Sequence, residues 1–233
     1  MEAQETQHGI VEAPVEVAKI RQVYNFLSRI YFLATPLEKK ARLRGIELGR
    51  INPNDKILEV ATGLGHSFLA LLELADSANT VYGVDLSPAM LEKTRRLTLK
   101  KGYTNFDLRE GDARHLPFPD ETFDVIYNSY MLDLIPLADL PVVLDEFCRL
   151  LKADGRLVLV NLSKKEASPV FYEKLYRWMP YLLGGCRPVR MENFVKQAGF
   201  SEVHREFLKM PLSSEIVTAV KRTPPIGVPD KRG

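Results

Sequence analysis

The chain has 233 residues, enough for one sizeable core and long for two independent domains. Its 32 Lys and Arg nearly balance 30 Asp and Glu, so a net charge of +2 gives no general pull toward nucleic acid or an anionic membrane. The two cysteines, Cys148 and Cys186, have neither metal-ligand nor disulfide spacing and read as reduced thiols.

The N-terminus lacks the basic-then-apolar pattern of a secretory signal, and no apolar run approaches the roughly 20 residues of a spanning helix. The expectation is a cytoplasmic protein without a transmembrane segment, with peripheral membrane contact left open. Residues 1–14 are polar and read as a disordered tail. From Val15 to Ala34 the apolar positions Val23, Phe26, Leu27, Ile30, Tyr31 and Leu33 recur at helical spacing. A second helix follows Pro36, a residue suited to a first turn, and runs to about Gly49. Residues 15–50 thus form a helical cap.

Five strands are then predicted near 56–61, 80–85, 106–110, 123–128 and 156–161, separated by helical stretches. That alternation predicts an α/β fold with a doubly wound, mostly parallel sheet and helices on both faces. Ser87-Pro88 reads as an N-cap followed by proline at the first helical position. Asp154-Gly155 reads as a turn feeding the fifth strand. Residues 202–207 and 215–220 alternate like two further strands. The whole is one domain over residues 15–222, with residues 223–233 as a flexible tail.

The most informative segment is Ile57-Leu58-Glu59-Val60-Ala61-Thr62-Gly63-Leu64-Gly65-His66, read with Val81-Tyr82-Gly83-Val84-Asp85. The first run ends in a glycine loop, and the second ends in a carboxylate about twenty residues beyond it. In an open parallel sheet these meet at the carboxyl edge, where an adenosine-bearing cofactor binds. Two features argue against a dinucleotide. The third small residue of a pyrophosphate turn is missing, because His66 or Phe68 stands there. Glu59 is also a poor neighbour for a pyrophosphate and a good one for a ligand carrying an ammonium and a sulfonium.

Glu59-x-Ala61-x-Gly63-x-Gly65 is followed in order by Asp85, by Gly111-Asp112-Ala113 and by Phe123-Asp124-Val125-Ile126. Arg149-Leu150-Leu151-Lys152-Ala153-Asp154-Gly155-Arg156-Leu157 completes the series. It resembles the class I S-adenosylmethionine-dependent methyltransferases, in the group of the ubiquinone/menaquinone C-methyltransferases, over roughly residues 20 to 222. The resemblance implies a Rossmann-like seven-stranded sheet with the last strand antiparallel, and S-adenosylmethionine as cofactor. It places Asp85, with Leu86 beside it, on the ribose hydroxyls and brings the backbone of Ala61, Gly63 and Gly65 close to the methionine moiety. Asp112 and Ala113 would reach the adenine amino group, Met90 the adenine face, and a carbonyl of Asn128 or Ser129 the ligand ammonium. Ala61 stands where many members have glycine.

Tyr130, Asp133 and His66 are the candidate bases for an acceptor that must lose a proton. Residues 164–190 are rich in aromatics and read as a lid insertion or as an amphipathic helix over the sheet edge. Tyr176 and Trp178 from this segment, Tyr24 and Tyr31 from the N-terminal helix, and Arg187 are candidate substrate-binding residues. Arg187 and Arg190 read equally as exposed arginines, and Lys164-Lys165 as a solvated loop. No histidine has a pattern suggesting a metal.

The acceptor is expected to be small and apolar, aromatic or lipid-like, either a quinone-type ring or a lipid amine. After the fourth strand the quinone branch carries Gly-Leu-Arg-Asn-Val, whereas this chain reads Met131-Leu132-Asp133-Leu134-Ile135, a departure that bears on the quinone substrate and leaves the cofactor untouched. Two alternatives stand beside the enzyme reading: a catalytically silent relative kept as a binding or assembly module, and a nicotinamide-dependent oxidoreductase.

Overall fold

A computed structural model of the protein describes residues 35–164, 186–209 and 213–222. The expected tails, the helix over 15–34 and residues 165–185 of the expected lid lie outside these, as do Tyr24, Tyr31, Tyr176 and Trp178. The elements in order are α1 (Thr35–Leu48), β1 (Ile57–Val60), α2 (His66–Leu74), β2 (Val81–Asp85), α3 (Pro88–Lys100), β3 (Phe106–Glu110) and β4 (Phe123–Ser129). A short 3-10 turn at Leu137–Asp139 leads into α4 (Leu140–Leu150), β5 (Leu151–Leu162), α5 (Glu192–Gln197), β6 (Phe200–Leu208) and β7 (Ser214–Lys221).

The seven strands lie in the order β3-β2-β1-β4-β5-β7-β6. Only β7 runs against its neighbours β5 and β6; the pairs from β3 to β5 are all parallel. The last strand is therefore antiparallel, as the resemblance implies. The chain winds one way from β1 to β3 and the other way from β4 onward. The crevice beyond the ends of β1 and β4 is the switch point of such a sheet, where ligands bind.

Both faces of the sheet are covered, which is why β1 can be buried at all four positions. Alternation sorts its side chains: Leu58 and Val60 join Ile126, Leu144 and Phe147 on one face. Ile57 joins Phe68, Tyr127, Val158 and Val160 on the other. Glu59 shares that second face, the one α1 packs against. Gly45 makes the close approach workable, because a Cβ there would stand 2.5 Å from Val160 Cγ2. The Tyr127 hydroxyl then donates to the Arg42 carbonyl at 3.0 Å, fixing α1 over β4.

The fifth strand differs from its expected span. It begins at Leu151, and its pairing with β4 jumps from Phe123–Leu151 to Val125–Arg156. The predicted Asp154-Gly155 turn is thus a bulge inside one long strand, with Asp154 at φ 58°. Lys152 reaches across to hold Asp124 at 2.8 Å.

Candidate active site

β1 ends in a loop of left-handed residues, with φ of 64° at Ala61, 54° at Gly63 and 81° at Gly65. Gly65 is required by packing: a Cβ there would lie 2.9 Å from Thr94 Cα on α3. At Gly63 a Cβ would meet nothing within 4 Å, so the backbone there faces open space. The loop is pinned from below, since the Ala61 amide donates to the Val84 carbonyl at 2.7 Å.

Asp85 ends β2 against this loop. One carboxylate oxygen accepts from the Gly63 amide at 2.8 Å and the other from the Ser87 amide at 2.9 Å. Burial pushes its pKa up to about 6, although those backbone donors pull the other way. Ser87 caps α3, accepting from the Met90 amide at 3.3 Å, with Pro88 opening the helix as expected.

Glu59 sits beneath the loop with no exposure. Neither of its oxygens has a hydrogen-bond partner among the described residues. Burial drives its pKa well above the ordinary value; the Arg42 charge works against the shift and Asp85 reinforces it. Asn128 on β4 donates to the Val60 carbonyl at 2.8 Å, while its own side-chain oxygen is unpartnered among the described residues. Two buried carboxylates and an orphan amide oxygen form a pocket floor short of positive charge. They fit a ligand that brings an ammonium and a sulfonium.

A single cleft at the switch point gathers Ala61, Gly63, Asp85, Leu86, Met90, Asp112, Ala113 and Ser129 of the expected cofactor residues, with His66 and Tyr130. Glu59, Gly65 and Asn128 stand behind that surface rather than on it. Asp112 and Ala113, just after β3, line the cleft on the β2–β3 side of the sheet, and Met90 of α3 lines it too. Asp112 is also gripped by Arg114 at 2.6 and 3.0 Å, and this hydrogen-bonded pairing holds its carboxyl below the usual range. At the other end Tyr130 offers its ring, while its hydroxyl is tied to Ser214 Oγ at 2.8 Å. His66, the first residue of α2, has its pKa lowered by burial and then by the charges of Arg42 and Lys39, so it is neutral near pH 7.

Three expectations are corrected here. Asp133 does not reach the cleft: it has no exposure, and its Oδ2 accepts from the Leu162 amide at 3.3 Å. Arg187 is no surface arginine but fully buried, its guanidinium donating to the carbonyls of Asp133 and Ile135. Lys164, expected in solvent, is 2% exposed. Arg187 can sit inside because carbonyls of the turn after β4 take its protons, a long-range arrangement with no local signature.

Sequence reasoning also missed residues of the cleft: Arg42, Thr62, Leu64, Ser67, Arg114, Leu134 and Ile135. Arg42 had one signal, an i, i+4 pairing with Glu38 at 2.8 Å that points both side chains inward from α1.

Residues 57–155 match the family model described as a methyltransferase domain. The chain is 26% identical over 200 residues to the demethylmenaquinone methyltransferase of Bacillus velezensis, covering 86% of this chain and 81% of that protein. It is 33% identical over 132 residues to the ubiquinone/menaquinone biosynthesis C-methyltransferase UbiE of Teredinibacter turnerae, covering 56% and 51%. In fold it resembles an S-adenosylmethionine-dependent methyltransferase from Aquifex aeolicus, with TM-score 0.60 and 18% identity over 88% of this chain and 98% of the other. The chain is an S-adenosylmethionine-dependent methyltransferase.

In this methyltransferase the cofactor supplies an electrophilic methyl group on a positively charged sulfur. The chain supplies a cradle. Asp85 and Gly63 line the cleft in which the cofactor would lie, and Glu59 and Asn128 stand behind that lining. Among the described residues no group of His, Cys, Asp and Glu is placed to hold a metal, and no helix is long and apolar enough to cross a membrane.

Proposed function

We propose that this methyltransferase acts on a small apolar acceptor carrying an aromatic or quinone-type ring. The observation that carries the reading is the wall beyond β4, where Tyr130, Met131, Leu134 and Ile135 line the cleft opposite the glycine loop. Such a wall suits a ring and offers a polyanion nothing. The name shared by the relatives supports a quinone. The Met131–Ile135 segment differs from the sequence of that branch and supports a ring other than its quinone.

The work asked of the chain is alignment of the acceptor with the methyl group, which is worth about 7–11 kcal/mol when well done. A carbon or hydroxyl acceptor also gives up a proton, and in this reading His66 takes it. Its pKa is shifted toward the neutral form, and it is exposed at the cleft surface. Tyr130 has its hydroxyl committed to Ser214 and raised in pKa by burial, so it contributes a ring face rather than a base.

Purified protein incubated with S-adenosylmethionine and separate pools of demethylquinones, small phenols and phosphatidylethanolamine vesicles tests this. A methylated ring product supports the reading, and methylation confined to the lipid amine overturns it. With a ring acceptor in hand, His66→Gln should lower turnover by about 10²–10⁴-fold, the usual size of general-base help. Unchanged turnover removes His66 from the mechanism.

A further inference from the structure

Tyr130 stands where the acceptor wall begins, and its backbone holds φ at 53°, a conformation that bulky side chains rarely adopt. Along β4, Val125 and Tyr127 pack on the α1 face of the sheet and Ile126 on the other. Continued alternation would send residue 130 to the face of Ile126. The left-handed turn sends it instead to the face of Tyr127 and α1, where it lines the cleft.

Such a conformation persists only where its surroundings over-determine it. Three groups do so here. The Tyr130 amide donates to the Val160 carbonyl at 2.7 Å, the Arg42 guanidinium lies 5.9 Å from the ring centroid, and the hydroxyl shares a 2.8 Å hydrogen bond with Ser214 Oγ. The last of these comes from outside the cleft. Ser214 opens β7, is fully buried and does not line the cleft. Its backbone pairs with Leu162 on β5 and Leu208 on β6, so its hydroxyl starts from a fixed point. A ring tied at its backbone and at its far end cannot swing or tilt to follow an acceptor. It offers a wall of one orientation, which suits a planar partner and fits a puckered one poorly.

We propose that Ser214 is a positioning residue for the acceptor, acting through the Tyr130 hydroxyl to lock the ring as a wall selective for flat molecules. The inference rests on the ring-acceptor reading and adds to it a residue outside the cleft.

2-Naphthol and decahydro-2-naphthol share one carbon skeleton, flat in the first and puckered in the second. Isothermal calorimetry on protein saturated with S-adenosylhomocysteine should show the flat probe binding about tenfold more tightly. Ser214→Ala should cut that preference by about threefold to tenfold, the size of one ordinary hydrogen bond, and leave affinity for S-adenosylhomocysteine unchanged. Tyr130→Phe should match it, and the double variant should lose no more than either alone, because both cut the same bond. No preference in the unaltered protein, an undiminished one in a folded Ser214→Ala, or losses that add in the double variant overturn the proposal. If Ser214→Ala does not fold, an undiminished preference in Tyr130→Phe overturns it equally. Methylation confined to the lipid amine in the acceptor assay fails the ring reading and takes this inference with it. A methylated ring product with no preference between the two probes fails this inference alone.

Discussion

Two buried glutamates, one on each side of the sheet's centre, have opposite lives. Glu215 on β7 and Glu59 on β1 both have no exposure. Glu215 accepts from Ser163 Oγ at 2.9 Å, the Met191 amide at 2.8 Å and Arg205 Nε at 2.5 Å. Glu59 has no well-formed hydrogen bond among the described residues, and only the nearby Ser67 hydroxyl and the Arg42 charge favour its ionised form. A buried carboxylate with its partners in place is a fastener, here tying β5, β6, β7 and the start of α5 together. One whose compensation is missing is an unfinished site, since its desolvation is offset only when a cation arrives. Burial alone does not tell function from structure; satisfaction of the buried group does.

The largest expected effect comes from breaking the finished member of the pair. Glu215→Ala leaves Arg205 at 13% side-chain exposure without its carboxylate and removes the acceptor of Met191. The loss should be about 3–5 kcal/mol, as for other buried pairs cut on one side. Urea titration would show it, and a midpoint shift under about 1 kcal/mol would mean the network is ornamental. Cofactor affinity of the surviving folded fraction should hold.

Glu59→Gln should do the reverse. Burial favours the protonated form of its carboxyl, so a neutral amide of the same shape should cost little stability or add some. Cofactor affinity should fall about tenfold to a hundredfold, because the amide offers no charge to the ligand's positive end. Isothermal calorimetry of the unaltered protein and the variant with S-adenosylmethionine would read the difference. An unchanged affinity would say the acid is merely tolerated.

The same contrast explains what could be read in the chain beforehand. Glu59, Gly63, Asp85 and Asp112 were legible because each sits at a fixed offset from a strand end. The loop geometry that places them is local. The Asp154-Gly155 turn was legible as a break but not as a bulge, since its outcome depends on register with β4. Arg187, Lys164 and Asp133 were misread for a third reason. Their partners lie 52 or 54 residues away for Arg187 and 29 for Asp133, and no periodicity in one segment announces a carbonyl supplied by another. Arg42 falls between: its helix was expected, and its inward direction was not.

pH offers a milder probe of the unfinished site. Asp85 has a folded pKa of about 6 against an ordinary 3.8, so the ligand-free fold holds that proton more tightly than the unfolded chain does. Its ionisation therefore costs the ligand-free protein stability as pH rises from near 4 to about 6. A ligand that needs the carboxylate ionised must displace that proton below pH 6. Cofactor affinity should drop about tenfold per pH unit from there downward and stay flat from pH 7 to 8. Asp85→Asn should bind weakly at every pH and lose the slope. A slope that survives in Asp85→Asn would assign the titration to another group, with Glu59 the first suspect.

The smallest expected effect lies in the loop itself. Ala61 holds φ 64° with a side chain attached, a conformation disfavoured by about 1 kcal/mol for a residue with a Cβ. Its amide is committed to Val84 at 2.7 Å, so the backbone cannot relax without breaking that bond. Ala61→Gly removes the strain and makes the unfolded chain more flexible, which offsets part of the gain. The net should be a stabilisation of about 0.5 kcal/mol, visible as a small rise in melting temperature. Affinity for the cofactor should not change, because glycine keeps the same backbone path. A loss of stability would instead mean that the methyl group packs against the cleft wall strongly enough to outweigh its own strain. The strained residue would then be a contact, and Ala61 would join the residues that shape the ligand's bed rather than merely bend the loop around it.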